Sequence, residues 1–271
     1  MKNIVYILLI LLFTGCEKVV DLSLNTAAPK LVVDASINWD KGTNGNQQMI
    51  TLSTTTGYNQ KQVPKVFGAT VFVTNSAGVV FNFIEKPNTG NYLCINFIPV
   101  INEDYTLTVS YKGETYIAKE KLMGITKIID VEQRNDLGIN RDEIGIKVNF
   151  QDPPLQDNFF LISYGTTVNS FPQFEVFDDR FFSGNINFGV YSDKDLKVGD
   201  QINVSLYGIS EMYFNYMKIL IGVASGTSGN PFGATPFTTV RGNLINQTTK
   251  DNYALGYFRL CETDRLTYTA K

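Results

Sequence analysis

Tyr105-Thr106-Leu107-Thr108-Val109-Ser110-Tyr111-Lys112-Gly113-Glu114-Thr115-Tyr116-Ile117-Ala118 is the stretch whose periodicity decides the fold class. Tyr105, Leu107, Val109 and Tyr111 recur at every second position, with Thr106, Thr108 and Ser110 between them. A strand places the first set on one face and the hydroxyls on the other, an arrangement a 3.6-residue helix would scatter. Lys112-Gly113 supplies a two-residue turn, and a second strand-like run opens at Thr115.

The same pattern extends outward in both directions. Between Lys30 and Leu122 seven strand candidates follow one another: Leu31–Ile37, Met49–Thr55, Ala69–Thr74, Val79–Ile84, Tyr92–Phe97, Tyr105–Tyr111 and Thr115–Lys121. Turn chemistry separates them at Asp40-Lys41-Gly42, Asn75-Ser76-Ala77-Gly78, Pro87-Asn88-Thr89-Gly90 and Lys112-Gly113. Short strands at this spacing predict an immunoglobulin-like β-sandwich over residues 30–122. A second β-rich unit is expected over residues 123–271, with a boundary near residues 121–126. Its strands fall at Lys127–Gln133, Glu143–Phe150, Phe159–Tyr164, Gln173–Phe177, Ile186–Val190, Gln201–Ile209, Leu255–Cys261 and Leu266–Thr269. One segment breaks the pattern. Ser210 is a capping residue, and Tyr213, Met217, Leu220 and Ile221 recur at helical spacing, so one short helix is expected near residues 210–222 with that stripe in the core. With 14 Tyr and 19 Phe in 271 residues, the composition is that of a mainly β protein.

The N-terminus carries an address. Lys2 provides a positive start, and Ile4 to Phe13 form an apolar run of ten residues, too short to span a bilayer as a helix. Thr14-Gly15-Cys16 follows, resembling a lipobox, although Phe13 stands where Leu or Val is usual. Residues 1–15 are therefore expected to be a lipoprotein signal peptide, Cys16 the lipid attachment point and residues 16–29 a tether. Removing the signal takes away one Lys and no acid, moving the net charge from −3 to −4. That balance argues against nucleic acid or anionic lipid headgroups as partners, which both require a basic face.

The chain holds no histidine. This excludes Ser-His-Asp and Cys-His nucleophiles, HExxH zinc sites and an imidazole base, while leaving carboxylate-only hydrolysis open. Cys94 and Cys261 each sit in a strand-like run, where a buried free thiol is the ordinary outcome and a disulfide the alternative. Asp178-Asp179-Arg180 is the sharpest charged cluster. It reads either as a carboxylate pair, with Asp152 and Asp157 as helpers, or as a polar turn in which Arg180 neutralises its neighbours. Tyr164, Phe171, Phe174, Phe177, Phe181, Phe182 and Tyr191 surround that cluster in sequence and are expected mainly to fill core. The loop Ser225–Phe232 is Gly-rich but lacks the Gly-Lys-Ser/Thr ending of a phosphate loop.

The order of several segments carries a resemblance. Pro29-Lys30-Leu31-Val32-Val33-Asp34-Ala35-Ser36-Ile37 follows the lipobox cysteine. Gly68-Ala69-Thr70-Val71, Gly90-Asn91-Tyr92, Tyr105–Val109 and Thr115–Ala118 come next, then Phe177–Gly184, Val198-Gly199-Asp200, Tyr213 and Tyr216, and Gly229-Asn230-Pro231-Phe232. In this order the chain resembles an uncharacterised family of Bacteroidota outer-membrane lipoproteins built on a domain of unknown function, whose genes often lie beside TonB-dependent transporter genes. The glycine-rich strand that usually ends the family is matched loosely by Tyr253-Ala254-Leu255-Gly256-Tyr257-Phe258. The resemblance implies an outer-membrane, surface address and a β-barrel transporter as partner. It transfers no catalytic residue, metal ligand or cofactor, and none is expected. The functional expectation is a non-enzymatic accessory or ligand-capture lipoprotein, with Asp178, Asp179, Arg180, Phe181 and Phe232 as partner contacts. A carboxylate-based polysaccharide hydrolase, requiring two carboxylates about 5–9.5 Å apart in a cleft, and a surface adhesin are the alternatives.

Overall fold

The structure, a computed structural model, describes residues 28–57, 60, 62–137, 141, 143–154, 157–180, 184–224 and 239–271. The signal, Cys16 and most of the tether lie outside them, as do Phe181, Phe182 and Ser225–Phe232. The seven strands expected in the first half are all present: β1 (Leu31–Asp40), β2 (Gln48–Thr54), β3 (Thr70–Asn75), β4 (Val80–Lys86), β5 (Asn91–Cys94), β6 (Asp104–Tyr111) and β7 (Glu114–Met123). In β6, Tyr105, Leu107 and Val109 are fully buried, as their period predicts. The β6–β7 hairpin turns at Lys112 and Gly113 with φ of 50° and 79°. Two successive positive φ values mark the primed turn whose twist matches the flanking strands, and Gly113 meets that requirement without strain.

The second half supplies β8 (Ile128–Leu137), β9 (Glu143–Gln151), β10 (Phe159–Thr166), β11 (Gln173–Asp178), β12 (Ile186–Ser192), β13 (Gln201–Ile209), the helix α1 (Glu211–Ala224), β14 (Ile245–Asn246) and β15 (Leu255–Thr269). The architecture is mainly β with one helix among the described residues.

The pairing pattern corrects the immunoglobulin-like sandwich expected over residues 30–122. The first seven strands do not split into two facing sheets; they run round one barrel-like sheet in the order β15-β1-β2-β5-β4-β3-β6-β7. β15 closes it, running parallel to β1 from Val32↔Leu255 to Asp40↔Thr263 and parallel to β7 at Leu260↔Leu122 and Cys261↔Met123. Phe258 and Leu260 of β15 share one core with Val33, Ile50, Tyr92 and Leu107. Strand count is legible locally, but closure depends on a partner more than 130 positions away in the chain.

Beyond Cys261 the same strand continues into a second layer. There it pairs antiparallel with β13 in the sheet β11-β10-β13-β15, and β12-β9-β8 faces that sheet across a separate core. Four strands opposed by three form the sandwich. The two C-terminal strands expected at Leu255–Cys261 and Leu266–Thr269 are thus one continuous strand. Cys94 and Cys261 are both buried and free.

Helix α1 covers the outer face of β10, β13 and β15, burying Tyr213, Phe214 and Met217 against Leu161, Tyr207, Ile209 and Tyr257. Ser210 is the N-cap, its Oγ accepting the Tyr213 N–H at 3.1 Å. The same hydroxyl and Tyr257 Oη both donate to Glu120 Oε2 at 3.1 Å, while Lys121 N–H donates to Oε1. This buried carboxylate joins the end of β7 to the helix start. Burial pushes its pKa up against the lowering by these three donors.

Candidate functional site

β11 and β12 are edge strands of the two facing layers, so the sandwich is open between them. Along β12, Asn187, Gly189 and Tyr191 point inward while Ile186, Phe188 and Val190 point out and remain exposed, Phe188 to 52%. Inverting the usual rule for a solvated edge, this outer face is apolar. Phe174 on β11 is 42% exposed beside it, and Phe214 and Ile221 of α1 form the far flank. Together with Phe177 these side chains line a slot of about 710 Å³. That volume falls within the range of small-molecule sites, and the lining of aromatic rings with few polar groups is their usual character.

The polar groups at the slot are Glu175, Asp178, Asn187 and Lys218. Burial raises the pKa of the Glu175 carboxyl, against a lowering by the Val190 backbone N–H. Asp178 accepts a hydrogen bond from Arg180 Nη2 at 2.6 Å, which holds its carboxyl below the usual range. Asn187 is 9% exposed, and its Nδ2 has no hydrogen-bond partner. Lys218 pairs with no carboxylate among the described residues; its ammonium lies 5.9 Å from the Phe214 ring centroid. Behind the slot, Gly189 packs directly against Tyr164, whose buried hydroxyl also lacks a partner.

The candidate cluster from the sequence divides. Asp178 and Arg180 form the turn-like ion pair at the slot rim. Asp179 points elsewhere: it is buried beside Asp152, and Asn158 Nδ2 donates to Asp152 Oδ1 at 3.1 Å and to Asp179 Oδ2 at 3.2 Å. Gly184 N–H donates to the other Asp152 oxygen at 2.8 Å. Arg180 pairs with Asp178 and not with these two aspartates. Among the described residues no group of three or more acidic or cysteine side chains is placed to hold a metal. Glu175 and Asp178, the carboxylates lining the slot, lie three positions apart on one strand and so on opposite faces, roughly 10 Å apart along it. Asp178 is already engaged by Arg180. Phe181 and Phe232 fall outside the described residues. Of the aromatics expected in the core, Tyr164 and Tyr191 are buried, whereas Phe171 is 82% exposed.

Sequence reading missed Asn187, Phe188 and Lys218. The apolar residues of β12 alternate correctly, but alternation does not say which face turns outward. It also missed an apolar row on the barrel exterior. Met49 stands opposite Leu93, and Leu93 opposite Ile84, all three exposed across neighbouring strands.

Among described residues no helix is long and apolar enough to cross a membrane. No curated protein matches the chain. Among solved structures it is similar to a segment of two fibronectin type-III domains from chicken tenascin, at 13% identity and a TM-score of 0.23, covering 66% of this chain and 90% of that one. It is also similar to a DUF4785 family protein from Legionella pneumophila, at 9% identity and a TM-score of 0.27, covering 66% and 52%. The architecture described above rests on the strand pairing itself. The family model for a domain of unknown function, DUF4249, matches residues 17–267, and the chain belongs to that family.

Proposed function

We propose that this protein is a non-enzymatic, lipid-anchored ligand-capture lipoprotein of the outer membrane, serving a TonB-dependent β-barrel transporter. The observation that carries the reading is the aromatic slot of about 710 Å³ between β11, β12 and α1, with apolar side chains held in solvent at its mouth. The apolar run before Thr14-Gly15-Cys16 supports the anchor, and the exposed row Met49–Leu93–Ile84 offers a flat apolar surface for a membrane partner.

The test is purification of the tagged full chain from native membranes, with mass spectrometry of proteins and small molecules in the eluate. A β-barrel transporter is expected to co-purify, and Leu93→Glu is expected to release it. Recovery of the chain in the soluble fraction, with no barrel and no bound small molecule, would overturn the reading.

A further inference from the structure

We propose that the slot over the β11 edge binds an apolar carboxylate: an acyl or ring-bearing body against the phenylalanines, its anionic head held by Asn187 and Lys218. The inference rests on reading the slot as a binding site and adds what the site selects.

The polar groups lining the slot decide what it can hold. Asp178 is paired with Arg180, and Glu175 is a carboxyl whose pKa burial raises. Two donors line the slot beside them. Asn187 Nδ2 is unpartnered on a side chain 9% exposed, a position where an amide normally finds an acceptor. Lys218 lines the same slot and makes no direct ion pair among the described residues, although its charge acts on the neighbouring Asp178. A bound molecule must therefore bring acceptor oxygen, and the free ammonium favours an anionic one. A cation would meet Lys218 unfavourably. The rest of the surface offers Phe174, Phe177, Phe188 and Phe214, which suit an apolar body.

Decanoate, decanol and decylammonium separate body from head. Each is measured by equilibrium dialysis against the full-length chain in phospholipid nanodiscs, with empty nanodiscs subtracted. Decanoate is expected to bind about tenfold more tightly than decanol, and decylammonium most weakly. Lys218→Glu, an exposed substitution that leaves the core intact, is expected to remove that preference while leaving decanol unchanged. Asn187→Ala is expected to weaken decanoate about fivefold, with thermal unfolding recorded alongside. Phe188→Ala is expected to weaken all three. If decanol binds as tightly as decanoate and both depend on Phe188, the carboxylate assignment falls and the capture reading stands. If no probe binds above empty nanodiscs, or Phe188→Ala changes nothing, the slot itself is not the binding site.

Discussion

Replacing Glu120 with Gln tests whether a buried carboxylate governs how helix α1 is held to the barrel. Three donors meet this side chain: Tyr257 Oη and Ser210 Oγ at Oε2, and Lys121 N–H at Oε1, each at 3.1 Å. Ala leaves the buried Tyr257 hydroxyl and the half-buried Ser210 hydroxyl without this acceptor, at roughly 1–3 kcal/mol each, so about 2–6 kcal/mol is lost below pH 5. Gln keeps an oxygen for the two hydroxyls and turns its NH₂ toward Lys121 N–H, costing about 1 kcal/mol there. The pH dependence has a definite sign. Burial raises the native pKa of Glu120 above its unfolded value, so the folded state holds the proton more tightly. The stability from this linkage is complete below the unfolded pKa and is lost as pH rises through the native one, at up to about 1.4 kcal/mol per pH unit between them. Urea unfolding of wild type, Glu120→Gln and Glu120→Ala from pH 4.5 to 8.5 reads this directly. The wild type is expected to fall relative to Glu120→Gln with increasing pH, the Gln variant equalling or exceeding it by pH 8. Parallel wild-type and Gln curves across the range, or a Gln loss as large as that of Ala, would refute the reasoning.

Gly189→Ala would drive a methyl group into Tyr164 Oη, with Ile162 Cδ1 at 2.7 Å, and is expected to cost about 1–3 kcal/mol in thermal unfolding. Tyr164→Phe removes an unpartnered buried hydroxyl, so it is expected to be near neutral alone and to recover part of that loss in the double variant. Phe258→Ala empties a fully buried site in the barrel, at about 3–5 kcal/mol. Because β15 also builds the sandwich, near-ultraviolet and far-ultraviolet melts are expected to shift together; two separate transitions would count against shared support. Cys16→Ala is expected to abolish incorporation of radiolabelled palmitate, and continued labelling would place the anchor elsewhere.

Period-two alternation places every strand except β14 to within a few residues because each burial pattern is written in its own segment; the two-residue β14 carries no such pattern. The helix was equally legible: Ser210 caps it, and Tyr213 and Met217 are buried. Three features were not. The sandwich was assigned to residues 30–122, whereas those strands close round with β15; a strand's sequence records its faces and not its neighbours. Glu262-Thr263-Asp264-Arg265 reads as a charged break, yet β15 runs through it. Thr263 is buried and the charges find Lys41 and Asp40, so tertiary pairing overrides local polarity. The slot is the least legible, since consecutive strands β11 and β12 join different sheets through partners elsewhere in the chain and leave a seam between them. Of the cluster at residues 178–180, the Asp178–Arg180 pair at the rim was the part that sequence could find.

The last strand of this protein is flanked on both sides by parallel partners drawn from the first half, β1 and β7. A chain synthesised from its N-terminus therefore exposes two unsatisfied strand edges until β15 has emerged. Pairings this distant in sequence form slowly, because the entropy of closing the intervening loop is lost before any contact repays it. The long-lived open intermediate presents β1 and β7 as templates for other strands. Emergence of β15, rather than formation of any early hairpin, is the event that commits the barrel to its native pairing, and chaperones that shield strand edges would act on it before that point.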